Sequence, residues 1–292
     1  MNEMLLLMMR KHPPCNDASA AKNVIKQILQ EIILCGLSRS DFYTFAAFNG
    51  GTALRVFHNL PRFSEDLDFS VDDGKIDAFD LNDYASGIDT ELGSLGIPAA
   101  FEIDSQGGFV KRAYVKGNCR EVFSAFGIEE SICRSVASNE VLKVKIEADT
   151  SGVYWGKFET RFLLQPYPAP VRMYDSASLF AGKVAAVLTR RWKTRVKGRD
   201  LYDYLFYVSN NYPINMKRLE MQLKFSEAID ADVSLDTALL KKLLIDKFKT
   251  IDYSSAKEDV IQFISDTRSI DVWSPELFIS ITENYGFKEE TC

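Results

Sequence analysis

Two aspartates separated by a single residue, Asp66 and Asp68, are the side chains in this sequence best placed to do chemistry. Alternate residues of a β-strand point to the same face, so on a strand these two side chains would lie about 6.6 Å apart along the chain. Two carboxylates on one face repel each other unless a cation lies between them, and Mg²⁺ held in this way also binds substrate phosphates. A pair of such ions about 4 Å apart would stabilise both the attacking and the leaving oxygen of an in-line displacement.

A glycine turn lies upstream of this pair, in Asn49-Gly50-Gly51-Thr52. Glycines at the end of a strand let the backbone approach a triphosphate closely, and the amides of a helix capped by Thr52 would face the anion. A Gly-Gly pair alone is usually a turn, and an Asp-x-Asp motif alone is often a solvated strand edge. When both occur in one strand–turn–helix–strand unit, they favour a phosphate-binding site. The nucleotide-binding candidates either lie in this turn or carry a charge or hydroxyl that could reach a phosphate. They are Gly50, Gly51, Thr52, Arg62 and Ser64.

A second set of polar residues lies in the later part of the chain. Lys183 and Arg190 share one face of a predicted helix, and Arg199 and Asp203 have i, i+4 spacing. Lys183 would neutralise phosphate charge as a pyrophosphate leaves, and Arg199 would do the same or hold Asp203 in place. Six basic residues fall within Arg190–Arg199, where a solvated loop is the usual explanation and a basic rim for RNA phosphates is the functional one.

The elements that would position these residues can be predicted from apolar spacing and turn residues. A helix is predicted from about Ala20 to Cys35, and another from Thr52 to about His58. Strands are predicted on both sides of the second helix, over 42–48 and 67–71. A long helix over 77–95 should follow, and then strands around 100–104, 109–116, 141–148 and 159–164. After Ser176 the pattern is helical, which predicts an α+β protein with a mixed sheet in residues 1–168 and a mainly helical domain in 169–292.

The composition of the chain excludes some classes of protein and limits the kind of metal site. The chain has 292 residues and a net charge of −6, which argues against a surface built wholly to coat nucleic acid. No stretch approaches the ~20 apolar residues of a membrane span, so no membrane partner is expected. With only two histidines, any metal is expected to be a hard ion on carboxylates. The cysteines are scattered and odd in number, as in a cytoplasmic protein with reduced thiols: Cys15, Cys35, Cys119, Cys133 and Cys292.

The ordered set of motifs resembles the AbiEii/AbiGii-type nucleotidyltransferases, the toxins of bacterial toxin–antitoxin and phage-defence systems. The order and spacing match from about Phe48 to Leu205. The matching positions are Gly50-Gly51-Thr52-Ala53-Leu54, Arg62-x-Ser64-x-Asp66-x-Asp68, Lys183 and Arg199-Asp200-x-x-Asp203.

This resemblance implies a polymerase-β-like nucleotidyltransferase domain in which Asp66 and Asp68 hold Mg²⁺, with Mn²⁺ as the alternative ion. It implies Lys183 as an essential phosphate contact from the helical domain, and Asp203 as an essential carboxylate that acts on the acceptor, a role that Asp200 would share. The implied substrates are an NTP and an RNA, such as a tRNA 3′ end, or a protein. The implied partner is an antitoxin encoded by a neighbouring gene.

A third metal carboxylate is common in the wider superfamily, and Glu147 is the candidate for it here. Lys143, Lys145 and Glu147 share one face of a predicted strand, while Val144 and Ile146 face a core. A cross-strand ion pair explains Glu147 equally well.

Two other functions fit parts of the sequence. The Asp66-Leu67-Asp68 segment resembles the nucleophile motif of haloacid-dehalogenase-like aspartyl phosphatases, although the preceding Arg62-Phe63-Ser64-Glu65 is not the apolar strand expected there. A non-enzymatic protein that binds NTP or a partner on a transferase scaffold is the third possibility. Since the glycines, the aspartates and Lys183 are all present, the nucleotidyltransferase interpretation is preferred.

Overall fold

A seven-stranded mixed sheet organises the first part of the chain, in a computed structural model that describes residues 2–104, 108–152, 156–192 and 195–288. The strand order is β3-β4-β5-β2-β1-β7-β6, with β2 parallel to β5, β1 parallel to β7, and β1–β2, β3–β4 and β4–β5 antiparallel. The strands are β1 (Ala46–Asn49), β2 (Asp66–Val71), β3 (Ala100–Asp104), β4 (Val110–Asn118), β5 (Val141–Asp149), β6 (Phe158–Leu163) and β7 (Ala169–Tyr174).

Helices precede, interrupt and follow the sheet. In the sheet-forming part they are α1 (Glu3–Met9), α2 (Ala18–Ser38), α3 (Phe42–Phe45), α4 (Gly50–His58), α5 (Ala85–Ser94), α6 (Cys119–Ala125) and α7 (Glu130–Ser135). After the sheet come α8 (Ser176–Thr189), α9 (Gly198–Ser209), α10 (Met216–Phe225), α11 (Thr237–Phe248), α12 (Tyr253–Val260) and α13 (Pro275–Asn284). Short 3₁₀ helices are Ile76–Ala78, Leu81–Tyr84, Ile261–Phe263 and Thr267–Ile270. The predicted α+β fold with a mixed sheet and a helical second half is confirmed.

The chain divides into two units. The first comprises Met1–Phe57, Ser64–Gly152 and Phe158–Met173, and the second comprises His58–Phe63, Val153–Lys157 and Tyr174–Cys292. The predicted domain boundary at residue 168 stays a prediction. Within the described ranges, no helix is long and apolar enough to cross a membrane. Lys193 of the basic run and Cys292 lie outside the described residues.

The core of the first unit follows from strand alternation. Leu67 and Phe69 of β2 are buried, as are Val144 and Ile146 of β5, while the residues between them are only half-buried. Helix α2 begins at Asp17, whose carboxylate accepts from the Ala20 amide at 2.8 Å, and it buries most of its residues. The consequence is a sheet with one covered face and one face that carries polar side chains.

The second unit has an aromatic core. Phe180 of α8 stacks on Tyr207 of α9 with ring centroids 4.6 Å apart, and Tyr204, Phe248 and Phe278 contact one another in the same unit. All five side chains are at most 1% exposed. These stacked and tilted aromatic pairs add to the hydrophobic stabilisation from burial, which fixes α9 against α8.

Three details of the predicted elements are wrong. Residues 42–45 form the helical turn α3 rather than strand, and the Thr44 hydroxyl donates to the Asp41 carbonyl at 2.7 Å. The predicted helix over 77–95 is two 3₁₀ turns followed by α5, because Asp80 accepts from the Asn82 amide at 2.9 Å and starts a new turn there. Helix α4 begins at Gly50, so Thr52 lies inside it and does not cap it.

Candidate functional site

Asp66 and Asp68 lie on the polar face of β2, near the centre of the sheet. Both side chains are partly exposed, whereas Leu67 between them is fully buried, as the alternation predicted. The register places Asp66 opposite Lys145 and Asp68 opposite Glu147 on β5, and Asp68 opposite Asn49 on β1. The carboxylate pair is therefore flanked by β5 on one side and by the β1–α4 turn on the other.

Gly50 allows this turn to contact the Asp68 side chain directly. Its backbone has φ of +77°, and a Cβ added there would lie 2.4 Å from the Asp68 Oδ2 atom. Only glycine tolerates both the left-handed backbone and the contact. The glycine motif thus brings the Asp68 carboxylate to the first turn of α4, whose amides have no acceptor within the helix.

Thr52 and Ser64 are both buried, and both precede the aspartates in the chain. The Thr52 hydroxyl donates to the backbone carbonyl of Asp66, which ties α4 to β2. The side-chain amide of Gln30 donates to the carbonyls of Ser64 at 2.8 Å and Glu65 at 2.9 Å. These contacts hold the segment that leads into β2, and a direct nucleotide contact by either hydroxyl stays a prediction.

Glu147 takes part in a network of ion pairs on the same face. Its carboxylate accepts from Lys145 and from Arg112, each at 2.9 Å, and Lys145 also contacts Asp66 Oδ2 at 3.2 Å. Burial alone raises the pKa of Glu147, but the hydrogen bonds from Lys145 and Arg112 outweigh it and hold the pKa below its ordinary value. The cross-strand ion pair considered for Glu147 is thus present.

In the second unit, Lys183 and Asp203 lie in one buried cluster. Lys183 Nζ contacts Asp200 Oδ1 at 2.9 Å and Asp203 Oδ2 at 2.8 Å. Arg62 donates to both oxygens of Asp203, with its Nε at 2.6 Å from Oδ1 and its Nη2 at 2.7 Å from Oδ2. Arg190 donates to Asp200, so that three basic side chains surround two carboxylates.

The electrostatics of this cluster favour the charged forms of Lys183 and Asp203. Burial alone lowers the pKa of Lys183, but the carboxylates of Asp200 and Asp203 outweigh it and raise the pKa. Burial alone raises the pKa of Asp203, but Arg62 and Lys183 outweigh it and lower the pKa. Removing one member of a buried ion pair destabilises the folded protein, because it leaves an uncompensated buried charge.

Comparisons with known proteins support the assignment of this chain. The sequence profile of the family described as "Nucleotidyl transferase AbiEii toxin, Type IV TA system" matches residues 32–276. The chain belongs to the AbiEii nucleotidyltransferase toxin family. The resemblance seen in the motifs is therefore confirmed, and the protein is a nucleotidyltransferase rather than an aspartyl phosphatase or a non-enzymatic binding protein.

Solved structures agree on the fold. MenT4, a nucleotidyltransferase toxin from Mycobacterium tuberculosis H37Rv, is 14% identical and superposes with a TM-score of 0.55 over 97% of this chain and 89% of its own. JHP933 from Helicobacter pylori is 17% identical, with a TM-score of 0.52 over 88% of this chain and 89% of its own. No curated protein sequence gives a significant match. At these identities the similarity shows the fold alone.

The donor set at β2 fits the divalent ion that nucleotidyltransferases generally use. Asp66 and Asp68 present carboxylate oxygens on one face, and Mg²⁺ commonly takes one or two protein carboxylates together with water and substrate phosphates. Among the residues that the structure describes, no group of three or more His, Cys, Asp or Glu side chains could hold a metal. Glu147 already accepts from Lys145 and Arg112, and its role as a ligand stays a prediction.

Two features of the sites were not identified from the sequence. The Arg199 guanidinium lies 4.2 Å above the Phe263 ring and 3.8 Å from Asp259 Oδ2, and its predicted role toward a phosphate or Asp203 stays a prediction. Asp259 lies 60 residues further along the chain, and nothing in its spacing indicated this contact. The bidentate contact of Arg62 with Asp203 was also missed, since 141 residues separate the two and only packing within the second unit brings them together.

Proposed function

We propose that this protein transfers a nucleotide from an NTP to the 3′ end of an RNA, such as a tRNA, with Asp66 and Asp68 holding Mg²⁺. The observation that carries the proposal is the contact between Gly50 and the Asp68 carboxylate. It brings a metal-binding pair and the first turn of a helix together, so one ion on the carboxylates and one phosphate chain on the amides would be neighbours. Mn²⁺ is the alternative ion.

The residues of the first unit have separate roles in the proposed reaction. In the transfer, the acceptor hydroxyl oxygen bonds to the α-phosphorus of the NTP, the bond to pyrophosphate breaks and the hydroxyl loses its proton. Asp66 and Asp68 would hold the ion, which when bound would supply Lewis-acid stabilisation of charge on the phosphoryl oxygens. The amides at Gly50 and Gly51 bind the phosphates and align them for attack.

The second unit carries the remaining predicted roles. Lys183 is proposed to neutralise the leaving pyrophosphate, and Asp203 or Asp200 to receive the acceptor proton. Both carboxylates accept from basic side chains in this structure, so this role requires substrate to replace one of those contacts. We further propose a cytoplasmic location, an antitoxin partner encoded nearby and a place in phage defence, all consistent with the family.

A transfer assay tests this proposal. Each of the four NTPs, labelled at the α-phosphate, is incubated with the protein, Mg²⁺ and total bacterial RNA, and a protein fraction is tested in parallel. We expect label on RNA, and a loss of at least about 10³-fold in rate for Asp66→Asn and Asp68→Asn, because electrostatic stabilisation of transferring phosphates is worth several kcal/mol. Asp73→Asn, in the exposed turn after β2, is the matched control and should retain activity.

Two results would count against the proposal. Label on protein alone would replace the RNA acceptor by a protein one. Equal transfer by the wild type and both asparagine variants, or no transfer with any NTP, would remove the assigned role of the carboxylate pair.

A further inference from the structure

The polar face of the sheet continues beyond the carboxylate pair onto β5 and β4. On that face Asp66 is opposite Lys145, and Lys145 is opposite Tyr114 of β4. Neighbouring strands are about 4.8 Å apart, and β5 lies between β4 and β2. The backbone of Tyr114 therefore lies about 10 Å from the strand that carries Asp66. Tyr114 is half-buried, so part of its surface is accessible to solvent.

Next to Tyr114, two lysines occupy directly opposite positions on neighbouring strands. Lys116 of β4 is the register partner of Lys143 of β5. Both ammonium groups lie over the Tyr114 ring, 5.0 and 5.4 Å from its centroid, so a base that stacks there must displace them toward its phosphate. Like charges directly opposite each other destabilise a sheet, so the pair calls for a compensating anion.

The protein supplies only part of that compensation. Glu102 contacts Lys116 Nζ at 2.8 Å. Lys143 is exposed, and within the described ranges no carboxylate forms an ion pair with it. Glu102 and, at longer range, Asp104 act on Lys116, whereas the Lys143 ammonium group can bind a further anion beside the aromatic ring.

We propose that Tyr114, Lys116 and Lys143 form an acceptor patch, in which a base of the RNA strand stacks on Tyr114 and its phosphate lies between the two lysines. This inference rests on the proposed function, because it assigns the acceptor of that same reaction to a surface. Aromatic rings flanked by basic side chains bind single-stranded nucleic acid by stacking and charge together. An acidic peptide would use the lysines but would leave the ring without a role.

The order of the strands separates this patch from the place proposed for the NTP. The sheet runs β4-β5-β2-β1, and the glycine turn that would receive the triphosphate follows β1. The acceptor patch lies on the other side of β2, across β5. A strand of RNA bound at Tyr114 would thus approach Asp66 and Asp68 from the side opposite to the NTP, as an in-line attack requires.

Direct binding of a 5′-fluorescein-labelled single-stranded RNA decamer, without NTP, tests the acceptor patch. We expect Tyr114→Leu to weaken binding about tenfold, and Tyr114→Phe to bind within about twofold of the wild type because stacking is retained. Lys143→Ala should make the plot of log affinity against log salt less steep by about 0.7, the contribution of one phosphate contact on a single strand. Lys111→Ala, an exposed lysine on the opposite face of β4, is the matched control and should change neither quantity.

The affinity for NTP, measured on the same variants, decides between the possible ligands. Unchanged NTP affinity with weakened RNA binding supports the patch. Three results would overturn it. They are weakened NTP binding with unchanged RNA binding, equal RNA binding by Tyr114→Leu and Lys111→Ala, and tighter binding of an acidic peptide than of RNA. Because this assay requires no turnover, RNA binding that depends on Tyr114 in a protein that transfers no label would contradict the proposed reaction and leave the patch supported.

Discussion

At the scale of single residues, the chemistry of the first unit depends on one contact, between Gly50 and the Asp68 carboxylate. The residue types and the two-residue spacing of Asp66 and Asp68 were sufficient to predict that the pair shares a strand face. The glycines were predicted to approach a triphosphate, whereas the structure brings Gly50 against a carboxylate. That contact depends on the register of β1 with β2, which single-sequence patterns do not specify.

Replacing Gly50 by alanine should therefore impair activity more than stability. Gly50 and Gly74 both have positive φ, +77° and +71°, so alanine at either position strains the backbone by roughly 1–2 kcal/mol. Only at Gly50 would the new Cβ meet a functional atom, because nothing lies within 4 Å of the Cβ position at Gly74. We expect similar decreases in Tm for the two variants, and a loss of about 10²-fold in kcat/KM for Gly50→Ala alone, as displaced reacting groups produce. Equal activity of the two variants would contradict the assigned contact.

At the scale of elements, helix α2 and helix α5 approach so closely that glycine is required at their crossing. A Cβ on Gly36 would lie 2.8 Å from Ile88 Cα, and one on Gly87 would lie 2.7 Å from the Gly36 carbonyl oxygen. The sequence predicted α2 from its apolar spacing and placed its end near Gly36, but the helix continues to Ser38. Gly36 was interpreted as a stop signal, whereas its small size serves packing inside the helix.

Alanine at Gly36 should destabilise the first unit even though alanine is the better helix former. Overpacking costs about 1–3 kcal/mol and exceeds the gain of roughly 1 kcal/mol in helix propensity. Gly93 of α5 is the control, since nothing lies within 4 Å of its Cβ position and Gly93→Ala should stabilise by about 0.5–1 kcal/mol. Urea unfolding measures both, and a stabilising Gly36→Ala would show that the crossing is looser than described.

At the scale of the whole molecule, a large part of the response of stability to pH should come from the buried cluster around Asp203. Its carboxylate is 0% exposed and Arg62 is 3% exposed, so their ion pair has almost no water to screen it. The sequence predicted the importance of Lys183 and Asp203 through the family resemblance. It did not show that Arg62 and Arg190 also contact these carboxylates, because both contacts arise only from tertiary packing.

The Asp203→Asn variant should be less stable than the wild type by about 3–5 kcal/mol near neutral pH, since it leaves Arg62 and Lys183 with one carboxylate fewer. Burial raises the pKa of Asp203, but Arg62 and Lys183 outweigh burial and lower the pKa in the folded protein. The ionised Asp203 carboxylate therefore stabilises the fold above the ordinary aspartate pKa of about 3.9, and this contribution is lost as the pH falls through the lower pKa of the folded state. The difference in unfolding free energy between the variant and the wild type should therefore shrink below about pH 4.

Chemical denaturation at pH 7, 5, 4 and 3 measures this difference. Asp246→Asn, at an exposed residue paired with Lys249, is the control and should change stability by less than about 1 kcal/mol at each pH. A difference for Asp203→Asn that stays constant down to pH 3 would show that Asp203 is not held in its charged form by these contacts.

The central claim is that the Asp66–Asp68 pair supports nucleotidyl transfer, and the fate of the NTP phosphates tests it most directly. One sample contains NTP labelled at the α-phosphate and a parallel sample contains NTP labelled at the γ-phosphate, each with RNA and Mg²⁺. We predict that the α label moves to RNA, that the γ label is recovered in an equal amount of pyrophosphate, and that Asp66→Asn and Asp68→Asn abolish both. Release of the γ label as inorganic phosphate without transfer of the α label would contradict the claim.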